Sequence, residues 1–411
     1  RYFFVRDHHL GPSEIASYGA IIGFPWSLKP LFGVASDNIV GIISKRFQIS
    51  FGYCLSALCF SLLSFLRSIG WCIFLLTLSS FFLGFADVVQ DSIMVVRGKD
   101  SKGRVQSNAW FFRSFGSLIG CIFGATFAFH TNRFSFIAMA NLVGVIMALQ
   151  LKNVDDTSVT TEPFLNRFCC YIRQKQILIF AFVLFLYSYE PGDGFVVEYL
   201  LIRRSNIKPT TFALADIVSF IMVMAASAVF SRFLRKVSVY KIIMTTNTIA
   251  FLLFAYRNAY VSERLDIDAR VFLLLNSIIY SFIGQLSFLP MIVIATNLSP
   301  PGMEGTIYSF FMAVSNASGI ISRELSSLLT KATNISNEVH LEKGKVDTFY
   351  VICIILDLTG LVGILLLLKY VISPPTFENK NESQADEETQ PLEDCNDQQQ
   401  EIELTTVDLS D

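Results

Sequence analysis

The chain has 411 residues, 53% of them hydrophobic and 16% charged, with 39 Phe and a formal net charge of −2. Soluble domains carry about 25% charged residues, so a soluble globular domain is excluded. The near-neutral balance also excludes a nucleic-acid-binding surface. Eight Cys and four His show no metal-ligand or catalytic spacing, so no metal, no cofactor and no enzyme activity are expected.

The apolar residues fall in runs that read as bilayer spans. Spans are predicted at 13–37, 47–66, 71–96, 107–130 and 133–151, then at 176–202, 211–232, 239–257, 270–296, 303–328 and 347–371. This reading gives an all-α membrane protein with about eleven spans. A polar stretch over 152–175 separates an N-terminal bundle (1–151) from a C-terminal bundle (176–372), and an acidic tail over 373–411 has no apolar period and is expected to be disordered.

Loop charge sets the expected orientation. Lys45 and Arg46, then Arg97, Lys99, Lys102 and Arg104, then Lys152, Arg167, Arg173 and Lys175 all fall on one side of the first half. The opposite side holds only Arg1, Arg6, Arg67 and Arg133. The linker and tail are therefore expected in the cytoplasm. Transporters with two repeats carry an even number of spans. Five before the linker and six after it imply an absent first helix, with Arg1-Tyr2-Phe3-Phe4-Val5 as its remnant. A true eleven-span chain is the alternative. A weak repeat fits two halves: Trp110–Gly116 resembles the run ending at Gly319, which places Arg113 opposite Asn316, 203 residues away.

Charges at bilayer depth are costly, so each marks either a functional site or a structural ion pair. In the first span, Lys29 lies between Pro25-Trp26 and Pro30, where two prolines distort the helix and free its carbonyls. Asp87 and Asp91 stand four residues apart, on one helix face. Two such carboxylates suit proton coupling, with Arg113 of the next span neutralising one of them. A buried Asp–Arg lock is an equal reading. Glu190-Pro191-Gly192-Asp193-Gly194 interrupts the sixth span, and broken helices are where transporters place substrate and ion sites. Gln285 and Asn316 are uncharged polar groups inside spans, and both are substrate-site candidates. Asp37, at a helix end shortly before Lys45 and Arg46, fits a gate that opens and closes.

These residues resemble a known family. Gly23-Phe24-Pro25-Trp26-Ser27-Leu28-Lys29-Pro30-Leu31-Phe32-Gly33-Val34-Ala35-Ser36-Asp37 is similar to a block of the folate-biopterin transporters, which belong to the major facilitator superfamily. The runs Ala86-Asp87-Val88-Val89-Gln90-Asp91-Ser92, Gln106-Ser107 through Gly116, and Glu304-Gly305-Thr306 through Gly319 resemble three further blocks of that family. Gln90 departs from the small apolar residue usual there.

The resemblance implies two six-helix bundles of major-facilitator type, alternating access, and proton-coupled movement of folates or pterins. Lys29, Asp87, Asp91 and Arg113 match the family blocks, with Lys29 and Arg113 expected to contact substrate and Asp87 and Asp91 to couple protons, while Glu190 and Asp193 are substrate-site candidates on the broken-helix argument. The partners are then a small-molecule substrate, protons and the lipid bilayer, with the chain acting as a monomer, in the plasma membrane rather than an organelle. Another small organic solute, such as an amino acid or sugar, is the alternative substrate class. A non-transporting receptor or membrane enzyme is the third reading.

Overall fold

The computed structural model describes residues 18–19, 21–39, 42–66, 68–127, 133–151, 164–191, 207, 209–333 and 343–371. The proposed remnant at 1–5, the linker before 164, Asp193 and the tail after 371 lie outside the described residues.

Among the described residues every regular element is helical. The first half contributes α1 (Lys29–Ile39), α2 (Lys45–Leu63), α3 (Ile69–Gly98), α4 (Arg104–Phe127) and α5 (Arg133–Leu149). Then come α6 (Phe164–Arg173) and α7 (Lys175–Tyr187). The second half adds α8 (Pro209–Val229), α9 (Val239–Val261), α10 (Ala269–Asn297), α11 (Glu304–Ala332) and α12 (Lys343–Val371).

Among the described residues, six helices are both long and apolar enough to cross a bilayer, and the α6–α7 pair, bent by 69°, makes up to seven. The expected eleven are therefore not all recovered on length and composition. The exceptions include α4, which carries Arg113, and α11, which carries Thr306 and Asn316. Some of the apolar spans face outward. The span Thr210–Leu234 has a mean hydropathy of 2.2, yet only 17% of its apolar window is buried. Such a surface is stable only against lipid, where helices satisfy their own backbone groups.

Helix contacts inside the bundle use small and hydroxylic residues, as expected where lipid removes the hydrophobic drive. Gly52 of α2 sits against α3, where an added Cβ would come within 2.8 Å of the Phe82 carbonyl. The Ser56 and Ser79 hydroxyls hydrogen-bond across the same seam at 2.8 Å, worth roughly 0.6 kcal/mol.

The weak sequence repeat has a counterpart in the fold. A shift of 203 residues lays α3 over α10 and α4 within α11. The two halves meet mainly through α4 against α8 and through α11 against α1. Exchange of the halves turns one of these contacts into the other. The Gly116–Gly319 alignment therefore pairs helices that occupy equivalent positions.

Candidate functional site

The proline pair shapes the first wall. Pro25 lies in the first turn of a 3-10 helix, Phe24–Leu28, which passes into α1 at Lys29, and Pro30 lies in the first turn of α1. The irregular turn carries Lys29 into the interior, where it is 8% exposed. Its Nζ donates to Asp87 Oδ2 at 2.8 Å and lies 5.1 Å from the Trp26 ring centre.

The α3 face delivers both carboxylates, as the four-residue spacing predicts. Arg113 of α4 reaches both of them through one nitrogen, Nη2, at 3.0 Å from Asp87 Oδ1 and 2.5 Å from Asp91 Oδ1. Asp87 thus bridges two cations, one on each oxygen, while Asp91 rests on Arg113. Two positive and two negative groups cancel, which is the condition for holding charge at this depth. Behind Arg113 stands the Trp110 ring, 5.2 Å away, which packs edge-on against Phe288 of α10 at 4.9 Å. Tyr308 of α11 is fully buried and lies within electrostatic reach of Arg113 and both aspartates. The sequence reading did not single it out. Its signal was present, since Tyr308 falls inside the Glu304–Gly319 block.

A second polar group closes one end of the α1–α11 seam. Asp37 Oδ2 accepts from both the backbone N and the hydroxyl of Thr306, each at 2.8 Å. Thr306 lies in the first turn of α11, so the carboxylate caps that helix from across the molecule. The approach is tight: a Cβ on Gly33 would come within 2.7 Å of the Gly305 carbonyl. Lys45 is buried and its charge acts on Asp37. Arg46 lies over the neighbouring Phe47 ring at 5.0 Å. Lys99 reaches Glu304 at 3.7 Å beside the same seam.

The third group is the broken sixth span. The helix α7 ends at Tyr187, and Glu190 follows on irregular backbone. This agrees with the interruption expected there, on the side that is described. The Glu190 N–H donates to Ser322 Oγ at 3.1 Å, and its carboxylate Oε2 accepts a hydrogen bond from the Tyr280 hydroxyl. Tyr187, Glu190, Asn247, Phe251, Tyr280 and Asp357 are among the residues lining a small cavity here. Sequence reading named Glu190 but missed Asn247 and Tyr280.

Gln285 is buried and donates to Ser227 Oγ at 3.1 Å, bridging α10 to α8. Asn316 is exposed on α11, one residue beyond Ser315, whose hydroxyl bonds Ser188 at 2.6 Å. The structure therefore joins Lys29, Asp87, Asp91 and Arg113 in one cluster. Asp37 and Glu190 stand in two separate groups. Among the described residues no group of His, Cys, Asp and Glu is arranged to hold a metal ion.

Known proteins resemble this chain along most of its length. The Folate-biopterin transporter of Synechocystis is 26% identical, over 93% of this chain and 80% of its own. Folate transporter 1 of Plasmodium falciparum is 24% identical, over 82% of this chain and 69% of its own. In structure, the fucose:proton symporter of E. coli superposes with a TM-score of 0.64 at 13% identity, covering 86% of this chain and 92% of that one. A bacterial homologue of the iron transporter ferroportin gives 0.61 at 14% identity, covering 90% and 95%. These two likenesses show the major-facilitator fold. The family model described as the BT1 family matches residues 1–390. The chain belongs to the BT1 family and is an integral, multi-pass membrane transporter of major-facilitator fold, not an enzyme.

Proposed function

We propose that the chain moves folates or pterins across a membrane by alternating access, coupled to protons. The observation that carries this reading is the neutral four-charge cluster of Lys29, Asp87, Arg113 and Asp91 inside the helix bundle. The printed names of the relatives point to the same substrates.

A folate ends in a glutamate with two carboxylates, and Lys29 and Arg113 are the cations that would receive them. An arriving carboxylate competes with Asp87 and Asp91 for the same donors. An aspartate left without its cation in a dry site is neutralised most simply by a proton. Substrate and proton then arrive together. Glu190 and Asp193 take the ring, with Gln285 and Asn316 completing the polar lining.

Asp37, with Lys45 and Arg46 nearby in sequence, forms the gate. The seam it closes separates an N-terminal bundle (1–151) from a C-terminal one (176–372), joined by a cytoplasmic linker (152–175). We place the monomer in the plasma membrane.

Labelled folate uptake into proteoliposomes under an imposed pH gradient tests the reading. Uptake should follow the gradient and fall sharply in Asp91→Asn. If Asp91→Asn leaves gradient-driven uptake unchanged, the coupling role is wrong. The balanced charge of the cluster would also suit a zwitterion such as an amino acid. A thermal-shift screen of pterins against amino acids and sugars separates the two substrate classes.

A further inference from the structure

Two neighbouring spans end in cations at one face of the molecule. Gln176, in the first turn of α7, donates from Nε2 to the Val371 carbonyl at the end of α12, at 3.4 Å. The two helix ends therefore lie side by side. Further along, the spans pack closely, since a Cβ on Gly363 of α12 would come within 2.6 Å of Leu186 Cδ1. Just before α7, the Tyr171 hydroxyl of α6 donates to the Leu298 carbonyl at 2.7 Å. Leu298 ends α10 shortly before α11 begins, so these ends share the face of the Asp37–Thr306 gate.

Each span turns an apolar stripe outward, and each stripe runs into a cation. On α7, Leu178 and Phe182 are exposed. Lys175 is exposed too, three residues before Leu178 and seven before Phe182, which puts it on the same face. On α12, Val362, Leu366 and Tyr370 are exposed at four-residue spacing, and the exposed Lys369 follows Leu366 by three. Arg173 is exposed at the 69° bend between α6 and α7. Among the described residues neither Arg173 nor Lys175 has an acidic partner. Residues 164–187 and 358–371 contain no Asp or Glu at all.

The arrangement complements one kind of molecule. Exposed apolar stripes suit acyl chains, and cations gathered where two spans end suit a phosphate at the membrane surface. Tyr370 ends its stripe with an amphipathic ring, the type of side chain that settles at headgroup level.

We propose that the junction of α7 and α12 at the gate face is a binding site for an anionic phospholipid. Arg173 and Lys175 hold the headgroup phosphate, with Lys369 beside them. The acyl chains lie along Leu178 and Phe182 on one span and Val362 and Leu366 on the other. The site stands independently of which solute is carried.

The test uses the purified full chain in mixed micelles with phosphatidylcholine, alone or with phosphatidylglycerol added. Melting temperature and the phosphatidylglycerol retained in native mass spectrometry are measured. Wild type is compared with the double variant Arg173→Gln with Lys175→Gln. A control, Arg232→Gln with Lys236→Gln, removes the same charge from the α8–α9 connection. Melting temperatures in phosphatidylcholine alone establish that each variant is folded.

Phosphatidylglycerol should raise the melting temperature of wild type and control. The Arg173/Lys175 variant should lose most of that shift and bind the lipid roughly fivefold or more weakly. Lys369→Gln should show a smaller loss, and it carries the test if the double variant does not fold. Equal losses in the double variant and the control overturn the site, because net surface charge then explains the effect. A shift matched by inorganic phosphate overturns it in favour of a free anion. No shift in wild type overturns it as well, and leaves the face to the acidic run over 373–411 of the same chain.

Discussion

Asp37 and Thr306 are 269 residues apart in sequence, yet the Asp37 carboxylate accepts two hydrogen bonds from Thr306 at 2.8 Å each. A helix N-terminus normally finds its cap in the residue just before it. Met303, at that position in α11, makes no side-chain cap bond. The cap comes instead from the far end of α1. This makes the end of α11 chemically incomplete unless the two halves are in contact. Stabilisation of a helix end and closure of the seam are therefore one event.

Removal of this cap should open the seam. Loss of a capping carboxylate costs about 0.5–2 kcal/mol, and 1.4 kcal/mol is a tenfold population shift. In Asp37→Ala, thiol labelling of single cysteines placed along the α1–α11 seam should speed up several-fold. Thr306→Val, which keeps the backbone bond and loses only the hydroxyl, should show a smaller increase. Equal labelling rates in Asp37→Ala and wild type would remove the gate.

Arg113 is the keystone of the charge cluster, since its Nη2 alone spans Asp87 and Asp91. Arg113→Leu leaves Asp91 with no ion-pair partner and Asp87 with Lys29 only. Breaking a buried ion pair costs about 3–5 kcal/mol, so a marked drop in melting temperature in detergent is expected. The double variant Arg113→Leu with Asp91→Asn should recover much of that loss, because the uncompensated charge is gone. Both variants should lose folate uptake. Recovery of stability without recovery of uptake is the signature of a pair that both locks and works. No stability difference between the single and double variants would mean the pairing is unimportant.

What was legible in the sequence follows from the physics of the membrane. Spacing alone placed Asp87 and Asp91 on one face, because helical period is a local property. The expense of charge in lipid singled out Lys29 and Arg113, and a pairing of Arg113 with one of the aspartates could be expected because a lone buried charge is costly; that Lys29 shares Asp87 with Arg113 was not readable. The irregular turn at Lys29 was readable from Pro25 and Pro30. The Asp37–Thr306 cap was not readable, since nothing in either segment names its partner. The cavity around Asn247 was missed for a different reason. Asn247 is uncharged and sits among Thr246 and Thr248, which look like ordinary helix-surface hydroxyls and bond their own backbone. Its place on the cavity wall is revealed only by the packing of α9 against its neighbours. Tyr280 was likewise concealed as one aromatic among many.

Two glycines separate packing from gating. An added Cβ at Gly52 would come within 2.8 Å of the Phe82 carbonyl and 2.9 Å of Ala86 Cβ, both inside the first half. At Gly33 it would meet Ser309 Oγ at 2.6 Å and the Gly305 carbonyl at 2.7 Å, across the seam between halves. Backbone atoms cannot step aside, so each Val substitution must force its helices apart at a cost of about 1–3 kcal/mol. The strain is the same in kind but has different outlets. In Gly52→Val it has no release short of local unfolding, so melting temperature should fall while the α1–α11 seam stays closed. In Gly33→Val it is released by opening the seam, so melting temperature should change less and thiol labelling along the seam should rise. Uptake should fall in both. The comparison is read by measuring melting temperature and labelling rate on the two purified variants side by side. If Gly33→Val lowers stability as much as Gly52→Val and leaves labelling unchanged, the seam is a fixed packing surface and Asp37 is only its clasp.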